Sequence, residues 1–432
     1  MTRPLISSTP VHAVPDIALA ERLFDELRRR TAAGSGVSRA SYGLGEQIAH
    51  DIIRREAEAL RLLIRTDAAA NLYATLPGAQ DGPAIILGSH LDSVPLGGNY
   101  DGAAGVLLGL AVISGFVKAG VTPPGPVTLM AIRAEESAWF SASYIGSRAA
   151  FGRLAGPELE GVRRAGDGIR LGAAVAAAGG DPEALAAGQA ALEPSRVRLF
   201  LEPHIEQGPV LIGRRVPVGI VTGIRGSFRY RYGRCRGAYA HSGTTPREDR
   251  QDAVRAVARL VVELDAAWER RAAAGEDLTV TVGQFTTDPD EASFSKIAGD
   301  VRFSIDIRAA EPRTLSAMQD EVGRIVAAIE AREGVCFDLG RVTGSEPARM
   351  TSEVVTALCA AARAAGVPHV EMPCGAGHDA AVFAQAGVPT GMVFIRNANG
   401  SHNPEEAMDI GDFAAAARLV TAMLLTPPPT AS

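Results

Sequence analysis

The sequence predicts an α/β protein with a mixed, largely parallel sheet flanked by helices, interrupted by an inserted α+β domain. Three observations predict it. The chain has 432 residues, more than the ~250–300 at which one hydrophobic core usually stops growing. From Pro83 onward apolar strands alternate with helical stretches, the pattern of a parallel sheet. Near Val216 antiparallel-looking strands and two helices replace that pattern, and after about Gly340 it returns. Residues 1–214 and 332–432 are therefore assigned to one domain and 215–331 to the insert.

Taken in order, charged and apolar residues at helical spacing predict helices over 18–33 and 44–60. Residues 83–88 read as a strand, followed by a Gly-rich loop, a helix after Asp101 and a strand over 126–132. The most apolar stretch, 103–117, is shorter than the ~18 residues needed to span a bilayer and reads as a buried helix. Residues 153–193 carry two short helical patterns, and 197–201 is the next strand. In the insert, strands over 216–224 and 228–236 precede an amphipathic helix over 249–272, strands over 278–285 and 300–308, and a helix over 312–331. A helix over 352–365, a loop at 375–379, a helix to 386, a strand over 390–395 and a helix over 410–425 close the pattern, and a Pro-rich tail follows at 427–429.

Composition excludes several classes. Hydrophobic residues at 47% and charged residues at 21% argue against a disordered or membrane-embedded chain. A net charge of −6 without a Lys/Arg run interleaved with aromatics argues against nucleic acid as a partner. Cys235, Cys336, Cys359 and Cys374 show no CxxC spacing, so neither a disulfide framework nor a zinc knuckle is expected. Residues 1–15 lack an apolar signal core, no membrane anchor is expected, and a reducing, cytoplasmic setting fits best.

Ligands of parallel sheets collect beyond the carboxyl ends of the strands. Three such ends carry potential metal ligands: Ser89-His90-Leu91-Asp92, Arg133-Ala134-Glu135-Glu136, and Glu202-Pro203-His204-Ile205-Glu206-Gln207-Gly208. His90, His204, His241, His378 and His402 all read as residues of Gly- or Ser-flanked loops. A lone loop histidine is more often structural than a ligand, but here partners accompany it. Asp92 is spaced to take the second ring nitrogen of His90. Asp101, among glycines, can bridge two ions; its plainer reading is a helix N-cap. The adjacent Glu135 and Glu136 would repel unless a cation or proton intervenes; the plainer reading is a solvated turn. Histidines and carboxylates without a thiolate suit Zn²⁺, Mn²⁺, Co²⁺ or Ni²⁺ better than a redox or iron–sulfur site.

These segments, with Gly98-Asn99-Tyr100-Asp101-Gly102, Ala240-His241-Ser242-Gly243, Asp306-Ile307-Arg308, Gly375-Ala376-Gly377-His378-Asp379 and Ser401-His402-Asn403-Pro404, resemble the carbamoylase and allantoate amidohydrolase branch of the dinuclear-metal aminopeptidase-like superfamily, over about residues 20–425. The resemblance implies two divalent ions per subunit on His90, Asp101, Glu136, His204 and His402, with Asp101 bridging and Glu135 as general base. It implies a catalytic domain plus a lid domain that also forms a homodimer. Gln207, Gly375 and Gly377 would contact substrate. The planar fork of Arg308 suits a substrate carboxylate, against the plain reading of a surface arginine. His241 can donate to a developing oxyanion, against that of a loop hydrogen-bonder.

One departure bears on specificity. The family's Asn-x-Ile-Pro-Gly stretch reads Ser295-Lys296-Ile297-Ala298-Gly299 here, so Ser295 replaces an amide with a shorter hydroxyl and opens the way to an unusual amide substrate. Ser242, where Ala is common, is expected to matter little. The leading reading is hydrolysis of a linear amide or ureido C–N bond, first in an N-carbamoyl-L-amino acid, next in allantoate or ureidoglycolate, then in an N-acyl-amino acid. A non-catalytic binding protein would have lost the base or a ligand, and all six residues are present.

Overall fold

The computed structural model describes residues 13–154 and 156–425; the Pro-rich tail and most of the N-terminal stretch considered above lie outside them. Two helices open the chain, α1 (Ile17–Arg30) and α2 (Leu44–Ala59). Strands β1 (Leu63–Thr66), β2 (Leu72–Leu76) and β3 (Ala84–His90) lead into α3 (Ala103–Ala119), β4 (Val127–Ile132), β5 (Val197–Ile205) and β6 (Val218–Ile224). Then come β7 (Gly226–Arg236), α4 (Ala253–Ala273), β8 (Thr279–Thr287), β9 (Asp300–Ala309), α5 (Pro312–Glu333), β10 (Cys336–Asp338) and β11 (Val342–Ser345). The chain closes with α6 (Ser352–Ala364), α7 (Asp379–Gln385), β12 (Thr390–Ile395) and α8 (Ile410–Leu425).

These elements form two compact units. The first falls within Met1–Thr222, Met350–Met372 and His378–Ser432; the second comprises Gly223–Arg349 and Pro373–Gly377. In the first unit the strand order is β6-β12-β5-β3-β4-β2-β1. The central four strands, β12, β5, β3 and β4, pair in parallel; β6, β2 and β1 join antiparallel. Strands β4 and β12 are buried along their whole length, as expected for parallel strands covered on both faces. Helix α3 is buried continuously from Ala103 to Phe116, so its apolar run is core, and no described helix is long and apolar enough to cross a membrane.

Two readings need correction. Strand β5 does not stop at Leu201: parallel pairing with Thr390–Ile395 carries it through to Ile205. His204 therefore lies within a strand and His90 is the last residue of one. Both are held by ladder hydrogen bonds instead of by a loop. The short strands β1 and β2 carry no clean alternation, and β1 is mostly exposed, so periodicity gave no sign of them.

In the second unit β8-β9-β7-β10 form an antiparallel sheet with β11 also on β7. Leu260 and Leu264 of α4 and Met318 and Val322 of α5 pack with Phe303, Ile305 and Ile307 of β9. This unit continues past residue 331 because β10 and β11 both pair with β7. None of the four cysteines forms a disulfide.

Helix α3 lies close on the parallel strands at Gly105, where a Cβ would overlap the Pro203 carbonyl oxygen. A Gly105→Ala substitution is expected to destabilise the chain by about 1–3 kcal/mol, read as a lower urea midpoint with unchanged m-value. An unchanged midpoint would mean that helix and sheet separate freely there.

Candidate active site

The carboxyl ends of β3, β4 and β5 bring the ligand candidates together within the first unit. His90, Asp101 and His204 form one triad, and Asp101, Glu136 and His402 a second, each with its ligand atoms within 4.8 Å of one another. Asp101 belongs to both. Its Oδ1 lies 3.7 Å from His90 Nε2 and 3.2 Å from His204 Nε2, and its Oδ2 lies 3.3 Å from His402 Nε2. Glu136 Oε1 lies 3.3 Å from the same nitrogen. The N-cap reading of Asp101 does not hold: α3 begins at Ala103, its N-cap is Gly102, and no helix N–H bonds the Asp101 side chain.

Hydrogen bonding fixes the ring tautomers. His90 Nδ1 faces the Asp92 carbonyl at 3.1 Å and its carboxylate at 3.3 Å. His204 Nδ1 donates to the Ile205 carbonyl at 2.8 Å. The His204 Nε2 accepts from the Gly102 N–H at 3.2 Å and lies 3.4 Å from His90 Nε2. Each Nε2 then presents a lone pair toward Asp101 Oδ1, which is buried and has no hydrogen-bond partner among the described residues. Apart from the Gly102 N–H at His204, the atoms converging here are acceptors, and such a set fits a divalent cation. A third triad, Glu202, His204 and His378, fits one less well, since the Glu202 oxygens already accept from Ser89 and Ala380.

Other groups hold this arrangement. The backbone N–H groups of Glu135 and Glu136 donate to the two Asp92 oxygens, both at 3.1 Å. Glu406 accepts from the N–H groups of Tyr100 and Asp101 at 2.8 and 3.2 Å, and the Ser401 hydroxyl lies between Glu406 Oε2 at 2.5 Å and Asp101 Oδ2 at 2.6 Å, with one proton to give to either. A Cβ at Gly98 would overlap that Glu406 carboxyl. Gln207 donates to Asp101 Oδ2 at 2.9 Å, while its own Oε1 is buried and has no partner among the described residues. Arg39 is fully buried, donates to Leu91 and Asn99, and acts electrostatically on Glu406, Asp101, Asp92 and Glu136. Burial pushes the Glu135 carboxyl well above the usual carboxylate range, and the Glu136 and Asp379 carboxylates add to it.

The second unit carries the remaining candidates, described by themselves. Ala240–His241 pairs with Lys296–Ile297, and Ser242 N–H donates to the Ser295 carbonyl at 3.0 Å. His241 is exposed, and its Nδ1 accepts the N–H groups of Gly243 and Thr244 at 3.1 and 3.2 Å. Its proton accordingly sits on Nε2. Ser295 is exposed. Arg308 donates to the Gly375 carbonyl at 2.7 Å and pairs with Asp306 at 2.8 Å. That carbonyl fixes the guanidinium beside the Gly375–Gly377 loop.

The sequence matches the family described as "Peptidase family M20/M25/M40" over residues 86–426. The chain belongs to that family. Within it, the chain is 34% identical over 400 residues to an N-carbamoyl-L-amino-acid amidohydrolase of Paenarthrobacter aurescens, covering 91% of this chain and 95% of that protein. It is 32% identical over 376 residues to the allantoate amidohydrolase of Escherichia coli, covering 86% and 88%. A hydantoinase/carbamoylase family amidase from Burkholderia multivorans superposes with a TM-score of 0.85 at 28% identity, covering 96% of this chain and 98% of that one. The family member described here is thus a metal-dependent amidohydrolase of the hydantoinase/carbamoylase group, acting on non-peptide C–N bonds.

Sequence reasoning passed over Glu46, Arg39 and Glu406. Glu406 follows His402 by four residues in a polar loop and reads there as a solvated carboxylate. Its Asn403-Pro404-Glu405-Glu406 context gives no sign of burial, although a Glu that closely follows a candidate ligand was a usable signal.

Hydrogen bonds to Asp101 and then Glu136 raise the His402 imidazole to about 10 in the metal-free protein. Its folded value lies above the ordinary one, so this pairing stabilises the metal-free fold below about pH 6.5 and is lost as pH rises through about 10. A cation taking His402 must displace that proton. Titration calorimetry of Mn²⁺ into metal-free protein near neutral pH, in buffers of differing ionisation enthalpy, is expected to show release of at least about one proton per chain. No release would remove His402 from the ligand set.

Proposed function

We propose that this chain hydrolyses a linear ureido or amide C–N bond in a small carboxylate-bearing substrate, preferentially an N-carbamoyl-L-amino acid, to give the L-amino acid, ammonia and carbon dioxide. The observation that carries this reading is Asp101, one carboxylate common to two ligand triads, with an oxygen that faces imidazole lone pairs and no donor among the described residues. His90, Asp101, Glu136, His204 and His402 would hold two divalent ions per subunit, from among Zn²⁺, Mn²⁺, Co²⁺ and Ni²⁺. Bound there, the ions supply Lewis acidity toward the scissile carbonyl and lower the pKa of a water.

Glu135 is the general base in this reading. Its buried carboxyl has a raised proton affinity, which suits it to take a proton from water and return it to the leaving nitrogen. Asp92 orients His90 and holds the Glu135 backbone. Gln207 presents an acceptor oxygen to a substrate N–H. From the second unit, Arg308 would take the substrate carboxylate, His241 would donate from Nε2 to the oxyanion, and Ser295, Gly375 and Gly377 would complete the contacts. The second unit would serve as lid and as the dimer contact of a homodimer.

The names of the relatives support the substrate class: one is an N-carbamoyl-L-amino-acid amidohydrolase and another an allantoate amidohydrolase. A structure described as AtUAH in complex with glyoxylate, TM-score 0.75 at 26% identity, widens the range of neighbours. Ser295 favours a second reading, in which the lost amide contact shifts preference to allantoate, ureidoglycolate or an N-acyl-amino acid.

Metal-free protein reconstituted separately with each of the four ions, and assayed against all four substrate classes, separates these readings. Ammonia release from an N-carbamoyl-L-amino acid is the expected result. Cleavage of N-acyl-amino acids alone would replace it. Glu135→Gln is expected to lower kcat by ~10²–10⁴-fold with metal content unchanged, and retained turnover would sink the base assignment. Arg308→Ala is expected to raise KM for carboxylate substrates by roughly tenfold or more, with kcat little changed; an unaltered KM would remove Arg308 from the site.

A further inference from the structure

The turn that follows β4 is held from a distance by a carboxylate outside the ligand set. Three consecutive N–H groups, those of Ala134, Glu135 and Glu136, point to buried carboxylates: the first donates to Glu46 Oε1 at 2.8 Å, the other two to Asp92. The carbonyls of Arg133, Ala134 and Glu135 accept from Gly146, Ile145 and Tyr144, each at 3.0 Å. Ala134 sits at φ 52°, a left-handed conformation that costs a non-glycine residue free energy and persists only when its surroundings enforce it.

Glu46 lies in the first turn of α2 and is fully buried. Its plain role is local: Oε2 accepts the Tyr42 N–H at 2.7 Å, as a first-turn Glu often reaches back over a helix start. That role leaves two bonds unexplained. Arg133 Nη1 donates to Oε2 at 2.9 Å, and Oε1 takes the Ala134 N–H across 88 residues of sequence. Arg133 is anchored in turn to the Ala70 carbonyl at 3.2 Å and to Gln47 Oε1 at 2.7 Å. A helix start thus grips the strained residue immediately before Glu135.

We infer that Glu46 is a positioning residue: with Arg133 it holds Ala134 in its left-handed conformation and so aims Glu135 and Glu136. The inference rests on the roles proposed above for those two glutamates. Displacement of a base or ligand by about 1 Å can cost up to ~10²-fold in rate. Glu46→Gln keeps the shape but turns an amide NH2 either toward the Ala134 N–H or toward both Tyr42 N–H and Arg133, breaking at least one hold and leaving the Arg133 charge without its carboxylate.

The test compares Glu46→Gln, Glu135→Gln and a buried control in the second unit, Val257→Ala, on the substrate class that the reconstituted wild type turns over best. The expected result for Glu46→Gln is kcat lower by ~10–100-fold, KM within about twofold, and a shifted visible absorption band in the Co²⁺-loaded protein. Val257→Ala should leave kcat and band unchanged. If Glu46→Gln fails to fold, Glu46→Asp, which keeps the charge one methylene shorter, carries the same test. A wild-type kcat or an unmoved band in the folded Glu46 variant overturns the inference. Turnover by Glu135→Gln would instead overturn the base assignment, which separates the two failures.

Discussion

Buried negative charge at the ends of three parallel strands sets the terms for the rest of the first unit. Asp92, Asp101, Glu135, Glu136 and Glu406 are all less than a tenth exposed, and an ionised carboxylate removed from water is costly unless donors or cations surround it. The neighbourhood supplies such compensation from several directions. Backbone N–H groups serve Asp92 and Glu406, hydroxyls of Ser41 and Ser401 serve Asp92 and Asp101, and the buried Arg39 acts on four of the five. Asp101 Oδ1 is what this supply leaves over, and it is the point at which the two triads meet.

That compensation demands particular backbone shapes. Ala134, Gln207 and His402 all have positive φ, at 52°, 62° and 62°, and each is a proposed site residue or adjoins one. Left-handed backbone at non-glycine residues concentrates where a site over-determines its geometry. Here it lets a strand end reverse sharply enough to offer its N–H groups to a carboxylate on one side and its side chains to the candidate triads on the other. The parallel ladder behind these reversals keeps His90 and His204 in fixed register.

Much of this could be read from residue order. The helices other than the uniformly apolar α3 follow apolar spacing, and His90, Asp101, Glu136, His204 and His402 stand out because ionisable residues interrupt apolar strands or glycine-rich loops. What stayed hidden was long-range. Glu46 reads as an ordinary first-turn glutamate, and only the fold places Ala134 above it. Arg39 sits in Val37-Ser38-Arg39-Ala40 with nothing local to announce burial. The extension of β5 to His204 depended on β12, nearly two hundred residues later, and no local pattern encodes a ladder formed at that separation.

The separation of the triads along the chain has a consequence for biosynthesis. Asp101 and Ser401, joined by a hydrogen bond, are 300 residues apart, and most of the second unit, Gly223–Arg349, is translated before α6. A nascent polypeptide therefore displays His90, Asp101, Glu136 and His204 long before His402 and Glu406 leave the ribosome, and domains fold as units once their segments are available. Until then the second triad stays open at the acidic end of the sheet. Maturation of the centre is thereby tied to completion of translation, and a product truncated shortly before residue 402 would retain most of its core strands yet lack the second triad.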